Sequence, residues 1–211
     1  MLKRFTQEQE GAVMVEAAIA LTVMLVLTLG FVDLGNALYQ WNSATKAVQV
    51  GARLASISNP VATGLASAAP TGTPGAPVVA NAYLPFVCTS TGCTQNGATV
   101  ASNTTNFNQI FQGDMPFNAN VPCPSLTPGK RPGMCHFYPM LRRENVVITY
   151  FATGLGYQTR LSGPIPSIAV SLRNINFQFF FLEGLLGFTD ITMPSMLSTV
   201  TGEDLKSGAP T

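Results

Sequence analysis

The sequence Gly11-Ala12-Val13-Met14-Val15-Glu16 opens an apolar stretch that carries no further charge until Asp33. Residues 12–32 number 21, close to the roughly 20 residues that an α-helix needs to cross the hydrocarbon core of a bilayer. The carboxylate of Glu16 is costly there, because a charge at the middle of a spanning helix costs about 2.5–3.5 kcal/mol, less near an end, and usually has a function. The stretch therefore predicts a membrane helix with one functional acid.

The charges on either side of this stretch predict its orientation. Lys3 and Arg4 precede it, and the next positive charge is Lys46. The positive-inside rule then places the N-terminus in the cytoplasm and the chain after Asp33 outside. A cleavable signal peptide is an alternative, with Gly35-Asn36-Ala37 as the cut. Against it, a glutamate serves no purpose in a disposable signal, and the helical pattern continues past the cut.

That continuation favours one helix from Ala12 to Ser58, since no proline occurs before Pro60. Small residues recur every seven positions at Ala37, Ala44 and Gly51, which would allow close approach of another backbone. Apolar residues beside them recur at spacings of four and three, and this stripe is predicted to pack on the protein's own globular domain. The stripe consists of Leu34, Leu38, Trp41, Thr45, Val48, Ala52 and Ala55.

Composition excludes some classes of function. Charged residues make up 10% of the 211 residues, against about 25% in typical soluble domains. The net charge is +1 and its Lys and Arg residues are scattered, so the sequence offers no basic surface for nucleic acid. Its single histidine and the lack of a phosphate-binding or nucleophile motif argue against an enzyme. We expect no catalytic residue, cofactor, metal or small-molecule substrate.

All four cysteines, Cys88, Cys93, Cys123 and Cys135, follow the apolar stretch. An even number in an exported, loop-rich region predicts two disulfides. Spacing suggests Cys88–Cys93 and Cys123–Cys135, although three pairings are possible and spacing alone does not choose among them. A zinc site using the thiols and His136 is an alternative, but the cysteine spacings do not match common zinc modules.

The remaining sequence divides into two parts. Residues 59–143 are rich in small residues, Pro and Gly, so they predict a loop-rich region whose disulfides join loops. From residue 144 onward, β-branched and aromatic patterns predict strands at Val146–Phe151, Ser167–Arg173, Ile175–Leu182 and within Thr189–Thr201, with a turn or short helix at 183–188. The run Phe179–Phe181 is either an exposed binding patch or, as we predict, buried core.

At this point the residues resemble the TadE-like family of tight-adherence (Flp) pilus proteins, which are minor pilins or pseudopilins. The N-terminal resemblance rests on Gly11, Ala12, Glu16 and the apolar helix, then on a helix-exit motif with Asp33, Gly35, Gly51 and Arg53. At the other end, residues 191–194 and 198–205 resemble the family's closing strand. The resemblance covers about the first 58 and the last 60 residues.

The resemblance implies that a prepilin peptidase cuts after Gly11 and makes Ala12 the new N-terminus. Glu16 then faces the N-terminal amine of a neighbouring subunit during filament assembly, because opposite charges in a low-dielectric medium satisfy each other. Alternatively, Glu16 reaches only to the nearby headgroups. Ala17 stands where major pilins often have an aromatic residue, which favours a minor component.

Together these inferences predict an α+β protein with a pilin-like architecture, in which a long N-terminal membrane-spanning helix precedes a small antiparallel β-sheet domain with long disulfide-bearing loops. The expected parts are a leader (1–11), the helix (12–58), the variable region (59–143) and a C-terminal β region packed on the helix (144–211). The expected partners are the inner membrane, a prepilin peptidase and other pilin-like subunits with their assembly machinery. The domain after the helix is expected in the periplasm or in an extracellular pilus. The alternative function is a membrane-tethered or secreted adhesin-like binding module with disulfide-bonded loops.

Overall fold

The computed structural model describes residues 2–118, 121–160, 163–187 and 191–202, without the side chains of residues 2–10, 185 and 186. The chain comprises two compact units. The first unit combines Met1–Gln40 with Asn176–Ile191, and the second combines Trp41–Ile175 with Thr192–Thr211. The chain is α+β, with a long apolar N-terminal helix followed by a six-stranded antiparallel sheet and two disulfides.

The N-terminal helix α1 spans Leu2–Ile57 without interruption. This confirms the long helix predicted from the absence of proline, although α1 begins before Ala12. Within the described residues, α1 is the one helix long and apolar enough to cross a membrane, a property that signal sequences share.

The buried face of α1 differs from the predicted stripe. Leu34 and Leu38 are 55% and 58% exposed, whereas Ala37 and Ala44 are buried. The small-residue series therefore marks the buried face, and the larger apolar residues beside it are buried only from Val48 onward. Short side chains let neighbouring segments approach the helix axis closely. At Gly51 the neighbour is the Met134 side chain, not a backbone, and it occupies the space that a Cβ atom would need.

The sheet lies in the second unit, and its strand order is β3-β2-β1-β4-β5-β6 with every pair antiparallel. On β4, burial alternates along the strand, and Val146, Ile148 and Tyr150 form its buried face. The hydroxyl oxygen of Tyr150 accepts a hydrogen bond from the Val61 N–H at 3.1 Å. The strands are β1 Phe86–Thr89, β2 Gly92–Gln95, β3 Ala98–Val100, β4 Val146–Phe151, β5 Ser167–Leu172 and β6 Leu197–Thr201.

The predicted strands at 146–151 and 167–173 are confirmed as β4 and β5, and the last predicted strand shortens to β6. The strand predicted over 175–182 is wrong, because that segment forms a loop leading into the short helix α3, Leu182–Leu186. Its aromatic run is not core: Phe180 is 68% exposed and Phe181 is 38% exposed. Three strands, β1 to β3, instead lie in the region predicted to be loop-rich.

Helix α2, Thr104–Gln112, also lies in that region. The side-chain oxygen of Asn103 accepts hydrogen bonds from the N–H groups of Thr105 and Asn106, which caps the helix N-terminus. After α2, Asp114 and Arg131 form a two-bond ion pair with both nitrogen–oxygen distances at 2.9 Å. This pair closes the base of the loop between them.

Candidate functional site

The apolar part of α1 carries its side chains on the surface of the first unit. Most of the large apolar side chains between positions 13 and 32 are more than half exposed. These side chains are Val13, Met14, Val15, Ile19, Leu21, Val23, Met24, Leu25, Leu27, Phe31 and Val32. An apolar surface of this length and width is unfavourable in water, since soluble proteins rarely expose patches above a few hundred Å². Lipid is the medium that suits it.

Polar side chains within residues 12–32 are limited to Glu16, Thr22 and Thr28. The Thr22 hydroxyl donates to the Ala18 carbonyl oxygen at 2.8 Å, and the Thr28 hydroxyl donates to that of Leu25 at 2.9 Å. Such bonds to the preceding turn satisfy a hydroxyl inside its own helix. Glu16 is exposed, and no described residue pairs with its carboxylate. It is therefore the polar group of the stretch that still needs a partner in an apolar medium.

A second acid, Asp33, directly follows the apolar stretch and is fully buried. Its Oδ1 accepts the N–H of Phe180 at 2.9 Å, and its Oδ2 accepts those of Phe181 and Leu182 at 2.9 and 2.6 Å. The N–H groups of Phe180 and Phe181 directly precede α3 and that of Leu182 begins it, where a helix leaves its first donors without intrahelical partners. One carboxylate thus satisfies three backbone donors, and they in turn satisfy its charge.

Two further polar residues of α1 continue this contact. Asn36 and Gln40 donate side-chain N–H bonds to the Gln178 carbonyl oxygen at 2.9 and 2.7 Å. The Gln178 N–H returns a bond to Oε1 of Gln40 at 3.0 Å. Spacings of three and four residues place Asp33, Asn36 and Gln40 on one face of α1. We call these three residues the polar row, and the segment that they bind, residues 177–182, the aromatic loop.

Sequence reasoning named Asp33 but missed the rest of the polar row and its partner Gln178. The signal was present, because the three polar residues recur at helical spacing among small and apolar neighbours. What the sequence did not supply was the partner, since the bonded atoms of the aromatic loop are backbone groups that every residue carries.

The other predicted helix-exit residues lie in different surroundings. Gly35 has open space where a Cβ atom would stand. In the second unit, Gly51 is buried against Met134, whereas Arg53 is exposed. Gly11 also has open space around its Cβ position, and Ala12 is exposed. Asp33 therefore holds the aromatic loop by hydrogen bonds and Gly51 makes room for Met134, whereas Gly11, Ala12 and Glu16 lie on an open helix surface.

The cysteines form two disulfides, Cys88–Cys93 and Cys123–Cys135. The expectation that both join loops is wrong for the first, because Cys88 and Cys93 face each other across the β1–β2 pair. His136 lies beside the second disulfide, but its Nδ1 accepts the Gly133 N–H at 3.1 Å and its Nε2 lies 3.0 Å from the Pro124 carbonyl oxygen. A zinc site here would need thiolates, and both sulfurs are joined to each other.

Comparison with known families bears on the same segment. Residues 11–53 match the TadE-like protein family. The match covers 43 of the 211 residues and begins at the predicted scissile glycine. No curated protein and no solved structure matches the chain.

The matched residues 11–53, here called the TadE-like segment, contain Glu16, the whole polar row, Gly51 and Arg53. It does not include the C-terminal residues that resemble the family's closing strand. Of those, 198–201 lie in β6, and Glu203, Asp204 and Leu205 lie outside the described residues.

Proposed function

We propose that this protein is a minor pilin or pseudopilin of a tight-adherence type IV pilus system, a structural subunit that supports filament assembly and surface adhesion. The observation that carries the proposal is the contrast within the TadE-like segment between satisfied and unsatisfied polar groups. Thr22 and Thr28 are bonded inside the helix, Asp33 is bonded to the aromatic loop, and Glu16 has no described partner.

A second subunit supplies what Glu16 lacks. Cleavage after Gly11 creates a positive amine on Ala12, four residues before Glu16 and on an exposed helix surface. The amine of one subunit and the carboxylate of its neighbour then pair within the membrane, which offsets part of the cost of placing either charge there. Because the pair has one favourable geometry, it also sets the axial position of one helix against the next. The role is structural and needs no catalytic residue.

The proposed location follows from the same segment. Residues 12–32 cross the inner membrane once, with Lys3 and Arg4 on the cytoplasmic side. The six-stranded sheet and its disulfides are then periplasmic, where thiols oxidise. A prepilin peptidase, other pilin-like subunits and the assembly machinery are the proposed partners.

The mature N-terminus and assembly of a Glu16→Gln variant test this function together. The variant keeps the shape of the side chain and removes its charge. We expect mass spectrometry to show loss of the first 11 residues from wild type and variant alike, and we expect both to stay in the inner-membrane fraction. Only the variant should fail to enter pili or to cross-link to neighbouring pilin-like subunits.

Thr22→Val is the matched control, because it removes a polar group that is already bonded within its own helix. It should be processed, inserted and assembled like wild type. Isolation of a protein that retains its initiating methionine, or normal assembly of Glu16→Gln, would contradict the proposal.

A secreted binding module is the alternative, and it requires loss of about 37 residues. Such a cut after Ala37 would remove Asp33 and Asn36 from the polar row and leave the N–H groups of Phe180, Phe181 and Leu182 without their acceptor. This favours retention of the helix. An adhesive role of the disulfide-bearing loops is compatible with a helix-anchored subunit.

A further inference from the structure

We propose that the aromatic loop inserts into the outer interface of the membrane beside α1, with the rings of Phe180 and Phe181 among lipid headgroups and upper acyl chains. This inference rests on the membrane span of the proposed function and adds a second lipid contact to it. Four features of the first unit carry the argument: the position of the loop, the exposure of its rings, the bonding of its backbone and its continuity with the apolar helix surface.

The position of the loop is fixed relative to α1. Asp33, the first residue after the span, binds the N–H groups of residues 180–182. Leu182 reaches one turn further back, since a Cβ atom placed on Gly30 would lie 3.9 Å from its Cδ2. The loop therefore lies against the last turn of the spanning stretch, at the depth where headgroups meet hydrocarbon when residues 12–32 cross the bilayer.

Among the described residues, the ring of Phe180 is largely uncovered and that of Phe181 is partly uncovered. Phe180 is 68% exposed and Phe181 is 38% exposed. Residues 176–187 carry one charged side chain, Glu183, which is exposed. Aromatic side chains concentrate at both membrane–water interfaces, where an apolar ring and nearby polar groups are accommodated together.

Many backbone polar groups of the loop already have hydrogen-bond partners within the protein, so they do not depend on water. Irregular backbone is tolerated near hydrocarbon only where its polar groups have protein partners. The N–H groups of residues 180–182 bind Asp33, the N–H and C=O of Gln178 bind the polar row, and the Phe177 N–H binds the Ile191 carbonyl oxygen. These bonds remove much of the cost of bringing the loop to the membrane.

Lipid is the occupant that this surface favours. The loop is held at Asp33, directly after Phe31 and Val32, and these two side chains are also more than half exposed. Lipid that covers the last turn of the span also reaches the loop held against that turn. A neighbouring pilin-like subunit is the competing occupant, and the experiment separates the two.

The test uses the full chain in phosphatidylethanolamine–phosphatidylglycerol vesicles, with an NBD fluorophore on a single introduced cysteine. Both native cysteine pairs are in disulfides and do not compete for the label. The labelled variants are Phe180→Cys, Val23→Cys within the span, and Val79→Cys, which is 65% exposed in the second unit. Quenching is measured with lipids carrying a doxyl group near the headgroup or near the chain end, and with iodide in the water.

We expect the label at 180 to show blue-shifted emission, strong quenching by headgroup-proximal doxyl and weak quenching by iodide. The label at 23 should be quenched by doxyl near the end of the acyl chain, and the label at 79 should be quenched by iodide alone. An additional Asp33→Ala change should release the loop and make the label at 180 respond to iodide.

Iodide quenching at 180 without doxyl quenching would overturn the inference. So would a label at 180 that becomes shielded from iodide only when other pilin-like subunits are present, because that outcome assigns the surface to protein. If the label at 23 is not quenched by doxyl lipids, the span itself fails, and this result is distinguishable from failure at 180 alone.

Discussion

Asp33 shows how one side chain organises a segment that the sequence places far away. Its carboxylate accepts three N–H groups while fully buried. A hydrogen bond to a charged group is roughly twice as strong as a neutral one. Removal of the charge therefore affects the whole aromatic loop rather than one contact.

We predict that Asp33→Asn detaches the aromatic loop from α1. The amide keeps one acceptor oxygen, but its NH₂ group opposes a backbone donor. Amide hydrogen exchange at residues 180–182 should accelerate by at least about tenfold.

Glu183→Gln is the control, because it makes the same chemical change on an exposed side chain of the same unit. It should leave the exchange rates unchanged. Equal rates in wild type and Asp33→Asn would show that the carboxylate does not hold the loop.

A second acid supplies a pH-dependent prediction. Hydrogen bonds from the Arg131 guanidinium, together with its charge, hold the pKa of Asp114 below its usual value, against the opposing effect of partial burial. Because the folded-state pKa is lowered, the pair stabilises the folded state above the unfolded pKa of about 3.9. The stabilisation is lost as the pH falls through the lower, folded-state pKa.

We therefore predict that Asp114→Asn lowers the thermal stability at pH 7 by an amount equivalent to at most about 1 kcal/mol, since the pair is partly exposed. The difference from wild type should shrink to nothing once acid has protonated Asp114 in both states. Glu144→Gln, on an exposed side chain, is the control. Thermal melts in detergent across the pH range provide the measurement, and a difference that grows in acid would contradict the mechanism.

At the scale of elements, the hairpin of β2 and β3 was missed although its signal is strong. Asn96-Gly97 separates the two strands, and these residues have φ values of +50° and +80°. Positive φ at both central residues defines the type I′ turn, for which Asn-Gly is the preferred pair. Its flanking strands are only three or four residues long, too short for an alternating pattern to stand out in a region rich in Asn, Gly and Pro.

Gly97→Ala tests this turn by strain alone, since a Cβ atom at Gly97 would meet open space. A left-handed conformation costs an L residue roughly 1–2 kcal/mol. We expect a corresponding loss in the free energy of unfolding, measured by denaturant titration in detergent.

Gly72→Ala is the matched control, because it also has open space and its φ is not positive. It should be neutral or slightly stabilising, since it lowers the entropy of the unfolded chain. An equal effect of both substitutions would remove the role assigned to the turn.

The strand predicted over 175–182 failed for a different reason. Its alternating aromatic residues fit a half-buried strand as well as they fit a loop, because periodicity reports a regular pattern and not the medium that covers it. The α1 stripe failed similarly, since Leu34 and Leu38 are apolar yet exposed, whereas Ala37 between them is buried. Patterns that assume a water-facing side are least informative beside an exposed apolar helix surface of this length.

At the scale of the whole molecule, the strongest local signals were sufficient for the α+β class. The proline-free run gave α1, the β-branched runs gave β4 and β5, and cysteine number predicted two disulfides. The strand order was beyond prediction, because β1 pairs with β4 across more than fifty intervening residues without a compositional signal for the pairing.

Topology gives the prediction at this scale. With residues 12–32 spanning the inner membrane and the N-terminus in the cytoplasm, Val79→Cys should react with a membrane-impermeant maleimide in intact spheroplasts. The native cysteines are silent as disulfides. Val23→Cys, inside the span, is the control and should stay unlabelled. Labelling of Val79→Cys only after permeabilisation would reverse the proposed orientation.

The bonds between Asp33 and residues 180–182 join positions 147 to 149 apart in the chain. During synthesis the acceptor emerges from the ribosome early, and its donors emerge only after the whole sheet except β6. Until then the carboxylate has none of these three donors. The loop therefore docks on α1 only after translation has passed residue 182, and any chain that ends earlier lacks the three donors that satisfy Asp33.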